Sequence, residues 1–370
     1  MAKIALAVHG GAGTILRSAM TPELELEYRG GLENALRVGW AILEKGGSSL
    51  DAVEATVAAL EDFPLFNAGC GSVFTHEGKI EMDAAIMDGW RLRAGAVAFV
   101  RNVKNPVKLA RRVMEKTEHV LLAGDGAIQF AEEMNVELAD DSYFYTDHRW
   151  KQLEEAIAAG RVQLDHSTAE TPRRGEKSES SPPVLGEVTG FSSPPARGGV
   201  APVSGDEVVE AGDGIVADGV VLSDPHSAIR NPQSKGTVGA VACDTNGNLA
   251  AATSTGGMTN KKYGRVGDTA IIGAGTYAEN STCAVSCTGH GEFFMLGVIA
   301  YDLAARMKYK GLGLEDAARE TIEQLTKIDG EGGLIAVDAH GNVVLPFNSE
   351  GMYRGWTTEK GEYTTQIYRL

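Results

Sequence analysis

The sequence predicts an α+β fold in which sheets stack face to face and helices cover them. Three observations carry that prediction. Both halves of the 370-residue chain hold blocks of short apolar strands bounded by Gly, Asp and Asn. Amphipathic helices flank those blocks, and neither half shows the regular βαβ alternation of a doubly wound sheet.

Taken in order, Lys3 to Val8 reads as a buried strand, and His9-Gly10-Gly11-Ala12-Gly13 as a tight turn packing closely against a neighbour. Thr21-Pro22-Glu23 opens a helix, with Thr as N-cap, Pro in the first helical position and an acid in the first turn. It stops at Gly46-Gly47, and Ser48 starts a second helix with Leu50, Val53, Val57 and Leu60 along one face. Asn67 to Val100 reads as a meander of strands. Helices are expected over Pro106–Lys116, Asp125–Met134 and Asp147–Gly160.

Between Thr171 and Pro202 lie six of the chain's twelve prolines and no hydrophobic period. Such a segment buries too little apolar area to offset its ordering entropy, so a disordered linker is expected over about residues 165–210, with room to extend to 236. After Gly236 the strands resume as VGAVAC and LAAATST, joined by the turn Asp244-Thr245-Asn246-Gly247. Strands are expected at Ala270–Ile272 and Cys283–Cys287, and helices at Glu292–Tyr309 and Leu314–Lys327. GLIAVDA and NVVLPF read as the last two strands.

A formal charge of -16 disfavours a nucleic-acid partner, which would require clustered Lys and Arg. The doublets Arg111-Arg112 and Lys261-Lys262 read as solvated surface. No apolar run approaches the ~20 residues of a membrane span, and the first residues match no secretory signal, so a cytoplasmic location is expected. The spacing of Cys70, Cys243, Cys283 and Cys287 suits neither zinc nor a redox pair; buried thiols in a reducing compartment are expected. The eight histidines hold no ligand spacing, no G-x-S-x-G elbow exists, and HGGAG lacks the Lys-Ser/Thr of a P-loop.

The threonines of Ser234–Asn260 remain. A threonine hydroxyl needs a base, and its own freed α-amino group serves, with an ordinary pKa of about 7.7–8.0. That arrangement requires the threonine to begin a chain. Thr237 suits it: it follows Gly236, whose bare backbone exposes the carbonyl, and it sits where the linker meets a buried strand.

Gly236-Thr237-Val238-Gly239-Ala240-Val241-Ala242, AATSTGGMTNK, GRVGD and SCTGHGE resemble the plant-type L-asparaginase / isoaspartyl peptidase family of N-terminal-nucleophile (Ntn) hydrolases. HGGAG, FNAGCGSVFT, MDAAIMDG and GMYRGW…IYR extend the resemblance over nearly the whole chain except the linker. It implies an αββα four-layer sandwich and self-cleavage between Gly236 and Thr237. The products would be an α chain of residues 1–236 and a β chain of residues 237–370, together forming one unit.

The resemblance also implies residue roles. Thr237 is then the nucleophile and Thr255 the hydroxyl that orients it. Arg265 and Asp268 grip the α-carboxylate and α-ammonium of an aspartyl substrate. Thr288 and Gly289 form the oxyanion hole, Gly291 completes the substrate loop, and Asn67 lies near the nucleophile. Taken singly, Thr255 reads as a strand threonine, Arg265 with Asp268 as a surface ion pair, and CTGHG as a glycine-rich turn.

No cofactor is implied for catalysis. The resemblance does imply a structural sodium ion, held by backbone carbonyls of Leu60, Glu61, Phe63, Phe66, Ala68 and Cys70. The implied activity is hydrolysis of β-aspartyl dipeptides and L-asparagine, by a dimer of two-chain units with no nucleic-acid or membrane partner. Rival readings are an aspartylglucosaminidase and a non-catalytic small-molecule-binding protein.

Overall fold

The computed structural model describes residues 3–162, 236–357 and 361–369. The linker expected over about 165–210 lies outside these residues. The described chain mixes two sheets with eight α-helices: β1 (Ala5–Gly13), α1 (Pro22–Glu44), α2 (Ser49–Glu61), β2 (Met82–Asp88), β3 (Arg93–Val100), α3 (Pro106–Lys116), β4 (Leu121–Ala123), α4 (Gly124–Glu133) and α5 (Asp147–Ala158), then β5 (Thr237–Cys243), β6 (Leu249–Thr255), β7 (Thr276–Ala278), β8 (Cys283–Gly289), α6 (Gly291–Gly297), α7 (Ile299–Lys310), α8 (Leu314–Lys327), β9 (Gly332–Asp338), β10 (Val343–Val344), β11 (Gly351–Thr357) and β12 (Tyr363–Tyr368).

The larger sheet has the order β12-β11-β1-β5-β6-β2-β3-β4, and the smaller β10-β9-β8-β7. Strands of the larger sheet alternate between two cores, as a period of two requires. Leu6, Val8, Val238, Ala240 and Ala242 join the core under α1, α2 and α3. Ala5, Ala7, Val241 and Cys243 join the core shared with β8, β9, α7 and α8. The sheets approach closely at one point: a Cβ on Gly239 of β5 would lie 2.0 Å from Ser286 Oγ of β8. Only glycine permits that approach.

Local signals account for several elements. Thr21 Oγ1 caps α1 by accepting from the Leu24 N–H (3.2 Å), and Ser48 Oγ caps α2 by accepting from the Asp51 N–H (3.1 Å). Asp244 closes the β5–β6 turn, its Oδ1 accepting from Asn246 N (2.9 Å) and Asn248 N (3.0 Å). All four cysteines are buried and free.

Other elements depart from expectation. HGGAG does not leave the strand: β1 runs through to Gly13, bulging between His9 and Gly11 against β11. The turn residues are held extended because β11 pairs alongside them, a partner more than 300 positions away. Ala270–Ile272 forms turns around Asp268, whose carbonyl accepts from Ile271 N (3.0 Å), and the strand falls at Thr276–Ala278 instead. Glu292–Tyr309 is two helices, broken at Val298 with φ 47°. The N–H groups of Ala300 and Tyr301 donate to the Ala274 and Gly273 carbonyls (3.1 and 2.8 Å), so α7 begins where that loop anchors it. Strands β4, β11 and β12 lie beyond the expected set, and NVVLPF supplies only the two-residue β10. No described helix is long and apolar enough to cross a membrane.

Candidate active site

Thr237 opens β5, and the register fixed by the Asp244 turn pairs it with Thr255 at the end of β6. Thr237 Oγ1 donates to Thr255 Oγ1 at 3.2 Å. Thr255 Oγ1 also accepts from the Gly257 N–H (3.0 Å) and donates to the Gly236 carbonyl at 3.3 Å. One hydroxyl thus accepts the Thr237 proton and hydrogen-bonds the carbonyl immediately before Thr237. Both threonines are buried.

Asn67 buttresses this corner from the loop after α2. Its carbonyl accepts from Gly256 N (3.1 Å), its Nδ2 donates to the Gly257 carbonyl (2.8 Å), and its Oδ1 accepts from Val73 N (3.0 Å). It touches the segment after Thr255 and makes no hydrogen bond to Thr237 itself.

Thr288, on β8, accepts at Oγ1 from the Ala12 N–H of β1 (3.2 Å). With that lone pair engaged, its own O–H is left to donate, as an oxyanion donor must. Gly289 has no space for a side chain: a Cβ would lie 2.3 Å from the Phe294 ring.

Arg265, Asp268 and Gly291 form a second cluster at the start of α6. A Cβ on Gly291 would lie 2.8 Å from Asp268 Oδ1 and 2.9 Å from Arg265 Nη2; one on Gly267 would lie 2.9 Å from Arg265 Nη1. Two glycines therefore let the backbone approach these charged groups closely. Arg265 is held by Glu292, with Nε donating to Oε1 (2.9 Å) and Nη2 to Oε2 (2.8 Å). Burial disfavours the charge of both partners. Their mutual hydrogen bonds outweigh that cost, raising the Arg265 pKa and lowering that of Glu292. The Nε/Nη2 edge is thus engaged by Glu292, which uses two of the five guanidinium N–H donors and neither of those on Nη1.

Sequence reasoning did not single out His9, Ser286 or Glu292 as site residues, and it left Thr253 as structural. His9 lies in HGGAG, Ser286 shares the strand face of Thr288 two residues on, and Glu292 ends SCTGHGE; each had a motif beside it. Lys261, read as solvated surface, is buried, with Nζ donating to the Glu81 carbonyl (2.7 Å) and its pKa lowered by burial. Backbone bonds from Gly256 and Asn260 to Asn67 and Phe74 draw this loop inward, which no local charge pattern reveals. Arg111, read the same way, is mostly enclosed by Asp51, Glu54 and Glu115.

His9 is fully buried, and burial lowers its pKa from 6.5 to about 3. Below pH 6.5 the unfolded chain therefore takes up a proton that the folded chain refuses until about pH 3. Stability from this group is present above pH 6.5 and falls through that window, by up to about 5 kcal/mol. His9→Asn is expected to be less stable at pH 7 but less sensitive to acid. Urea midpoints at pH 7 and pH 4.5 check this; a gap between wild type and variant that does not narrow in acid shows that His9 titrates normally.

The last turn of α2 and the loop after it also carry the six carbonyls of Leu60, Glu61, Phe63, Phe66, Ala68 and Cys70. Those of Leu60, Phe63, Phe66 and Ala68 accept from Phe63 N (3.2 Å), Phe66 N (3.3 Å), Ala68 N (3.0 Å) and Gly71 N (3.1 Å). A second lone pair remains on those of Phe63, Phe66 and Ala68, while the Leu60 carbonyl also faces the Asp62 N–H. Gly69, at φ 52°, has the Glu61 carbonyl oxygen 2.2 Å from where its Cβ would be. Gly71 has the Phe66 carbonyl at 2.1 Å from the equivalent point. Both glycines let the chain pass close to these carbonyl oxygens, and neutral oxygens are the ligand type a hard cation takes. Among the described residues no His/Cys/Asp/Glu cluster of metal-binding geometry occurs.

A family model described as Asparaginase matches residues 2–367. The chain is 45% identical over 370 residues to the isoaspartyl peptidase of Salmonella typhimurium, covering all of both proteins. It is 40% identical over 351 residues to the plant-type L-asparaginase of Pyrococcus abyssi, spanning 94% of each. With the isoaspartyl peptidase/L-asparaginase of Mus musculus it shares 39% identity over 351 residues, 94% of this chain and 86% of that one. Full-length matches on this scale leave one conclusion: the chain belongs to the asparaginase family, in the group that holds isoaspartyl peptidases and plant-type L-asparaginases.

Proposed function

We propose that the protein is a self-cleaving threonine amidohydrolase acting on β-aspartyl (isoaspartyl) dipeptides and L-asparagine, releasing L-aspartate. The observation that carries this reading is the Thr237–Thr255–Gly236 arrangement. A hydroxyl that accepts from the nucleophile and donates to the carbonyl it must attack serves both halves of an acyl shift. Thr237 Oγ1 adds to the Gly236 carbonyl carbon, the Gly236–Thr237 C–N bond breaks, and an ester forms. Water cleaves the ester, leaving a Gly236 carboxylate and a free Thr237 amino group.

In the mature enzyme that amino group takes the proton from Thr237 Oγ1, which attacks the side-chain carbonyl of the bound aspartyl group. The oxyanion is received by the Thr288 hydroxyl and the Gly289 N–H. Amine or ammonia departs, and water releases L-aspartate from the acyl-enzyme. Arg265 offers Nη1 to the substrate carboxylate and Asp268 accepts from its ammonium, with Gly267 and Gly291 leaving them room. Asn67 keeps the Gly256–Gly257 turn against Thr255.

The two-chain unit of residues 1–236 and 237–370 is the active form on this reading, and two such units form a dimer. Helices on the outer face of each sheet support the αββα four-layer arrangement. The carbonyls of Leu60, Glu61, Phe63, Phe66, Ala68 and Cys70 would hold a sodium ion that braces the loop bearing Asn67; it takes no part in the chemistry.

Turnover of β-Asp-Leu, L-asparagine and GlcNAc-Asn by the mature protein tests the assignment. Hydrolysis of the first two is expected, with little of the third. A clear preference for GlcNAc-Asn would favour an aspartylglucosaminidase, and no turnover or cleavage at all a binding protein.

A further inference from the structure

A line of buried polar groups runs from Thr237 into the space between the sheets, and the chemistry above does not use it. The β1–β5 ladder ends at the His9–Gly239 pair, two residues short of Thr237. The Thr237 carbonyl is met there by a side chain: His9 Nδ1 lies 3.0 Å from it. On the far side of the ring, Nε2 lies 2.8 Å from Ser286 Oγ. Ser286 Oγ lies 2.7 Å from Thr253 Oγ1, and Thr276 Oγ1 donates to Thr253 Oγ1 at 2.6 Å. His9, Ser286, Thr253 and Thr276 are all fully buried, so each must find its partners within the protein.

The direction of every bond follows from its two ends. A carbonyl oxygen only accepts, so Nδ1 carries the proton. Burial keeps the ring neutral, so Nε2 is bare and the Ser286 hydroxyl donates to it. Ser286 Oγ then accepts from Thr253, which accepts from Thr276. Longer alternatives exist, from Thr253 to the Gly275 carbonyl and from Thr276 to the Thr269 carbonyl, both at 3.4 Å. The shorter bonds are the better ones. All four donors then point toward Thr237, and bonds aligned in this way strengthen one another.

Gly239 makes the space. A Cβ there would lie 2.0 Å from Ser286 Oγ and 2.4 Å from His9 Nε2, across the junction that the chain bridges.

We propose that the Ser286, Thr253 and Thr276 hydroxyls lock His9 in the tautomer that donates from Nδ1, and that His9 thereby positions the first peptide unit of β5 for the chemistry of Thr237. This rests on the reading of Thr237 as nucleophile. Without Ser286, Nε2 loses its donor and the ring gains access to the other tautomer, which turns a lone pair toward the Thr237 carbonyl. These four are positioning residues: they reach the reacting hydroxyl through the backbone of Thr237.

Two measurements test it. Ring ¹⁵N spectra of histidine-labelled protein are expected to show His9 protonated at Nδ1 and bare at Nε2 in the wild type, and mixed in Ser286→Ala. In kinetics, Ser286→Ala and the isosteric Thr253→Val are expected to slow self-cleavage and kcat by about 10-fold each, with KM unchanged. Thr253→Ser, which keeps the hydroxyl, is expected to behave as wild type. If Ser286→Ala does not fold, the Thr253→Val and Thr253→Ser pair decides.

A wild-type His9 protonated at Nε2 overturns the proposal, and so do self-cleavage and kcat of Thr253→Val within twofold of wild type. A wild type that neither cleaves itself nor hydrolyses β-Asp-Leu instead removes the nucleophile reading, and the positioning role falls with it. The ring spectra would still report whether the bonded chain exists.

Discussion

Thr237→Ala is expected to purify as one uncut chain, whereas the wild type gives residues 1–236 and 237–370 by intact mass. The variant keeps Gly236, the Thr255 hydroxyl and the surrounding fold, but it has no atom to attack the carbonyl. Turnover of β-Asp-Leu should fall at least about 10³-fold, or ~4 kcal/mol, because both the nucleophile and the freed amino group are absent. Thr237→Ser restores the attacking oxygen and is expected to recover slow cleavage. Thr255→Ala separates the two roles further: the nucleophile survives, while the hydroxyl that accepts its proton and hydrogen-bonds the Gly236 carbonyl is gone. Cleavage at about 10²-fold lower rate is expected there, in the range of a lost general acid–base partner. Two fragments from Thr237→Ala divided at Gly236 would mean that another residue or a contaminating protease makes the cut.

Arg265→Ala is expected to give the opposite split. Its guanidinium bonds Glu292 and makes no hydrogen bond to Gly236, Thr237 or Thr255, so maturation should proceed as in the wild type. Turnover of β-Asp-Leu should then fall by about 10³-fold in kcat/KM, as expected when a charged partner is removed from a mostly enclosed site. Arg265→Lys should recover little of this. One ammonium cannot hold both Glu292 oxygens while reaching for a substrate carboxylate. Intact mass reads the first effect and steady-state kinetics the second. An uncut Arg265→Ala chain that is otherwise folded would reassign Arg265 to the cleavage machinery.

These two results would separate chemistry from grip, and the structure gives the reason for expecting them apart. The Thr237 corner is a strand-end device, built by the β5–β6 hairpin and the Asn67 loop. Arg265, Asp268 and Gly291 gather instead at the start of α6, from the segments just before β7 and just after β8. One corner can be damaged while the other remains whole.

The sequence by itself determined what is local. Caps at Thr21 and Ser48 and the Asp244 turn follow from residues within a few positions of one another. So does the candidate nucleophile, since a glycine, a linker boundary and a strand start are adjacent in the chain.

Tertiary structure decided whatever depends on a distant partner. HGGAG reads locally as a turn, yet β11 holds it extended and makes His9 a buried contact of Thr237. Lys261 reads as surface until the Asn67 loop draws it in. The helix after Gly291 breaks at Val298 because the Gly273–Ala274 loop anchors the start of α7. In each case the local preference is worth a few tenths to about one kcal/mol, and a buried hydrogen bond or strand pairing outweighs it. Ser286 and Thr253 carry the same lesson: a hydroxyl in a strand has no signature until the opposite sheet supplies its partner.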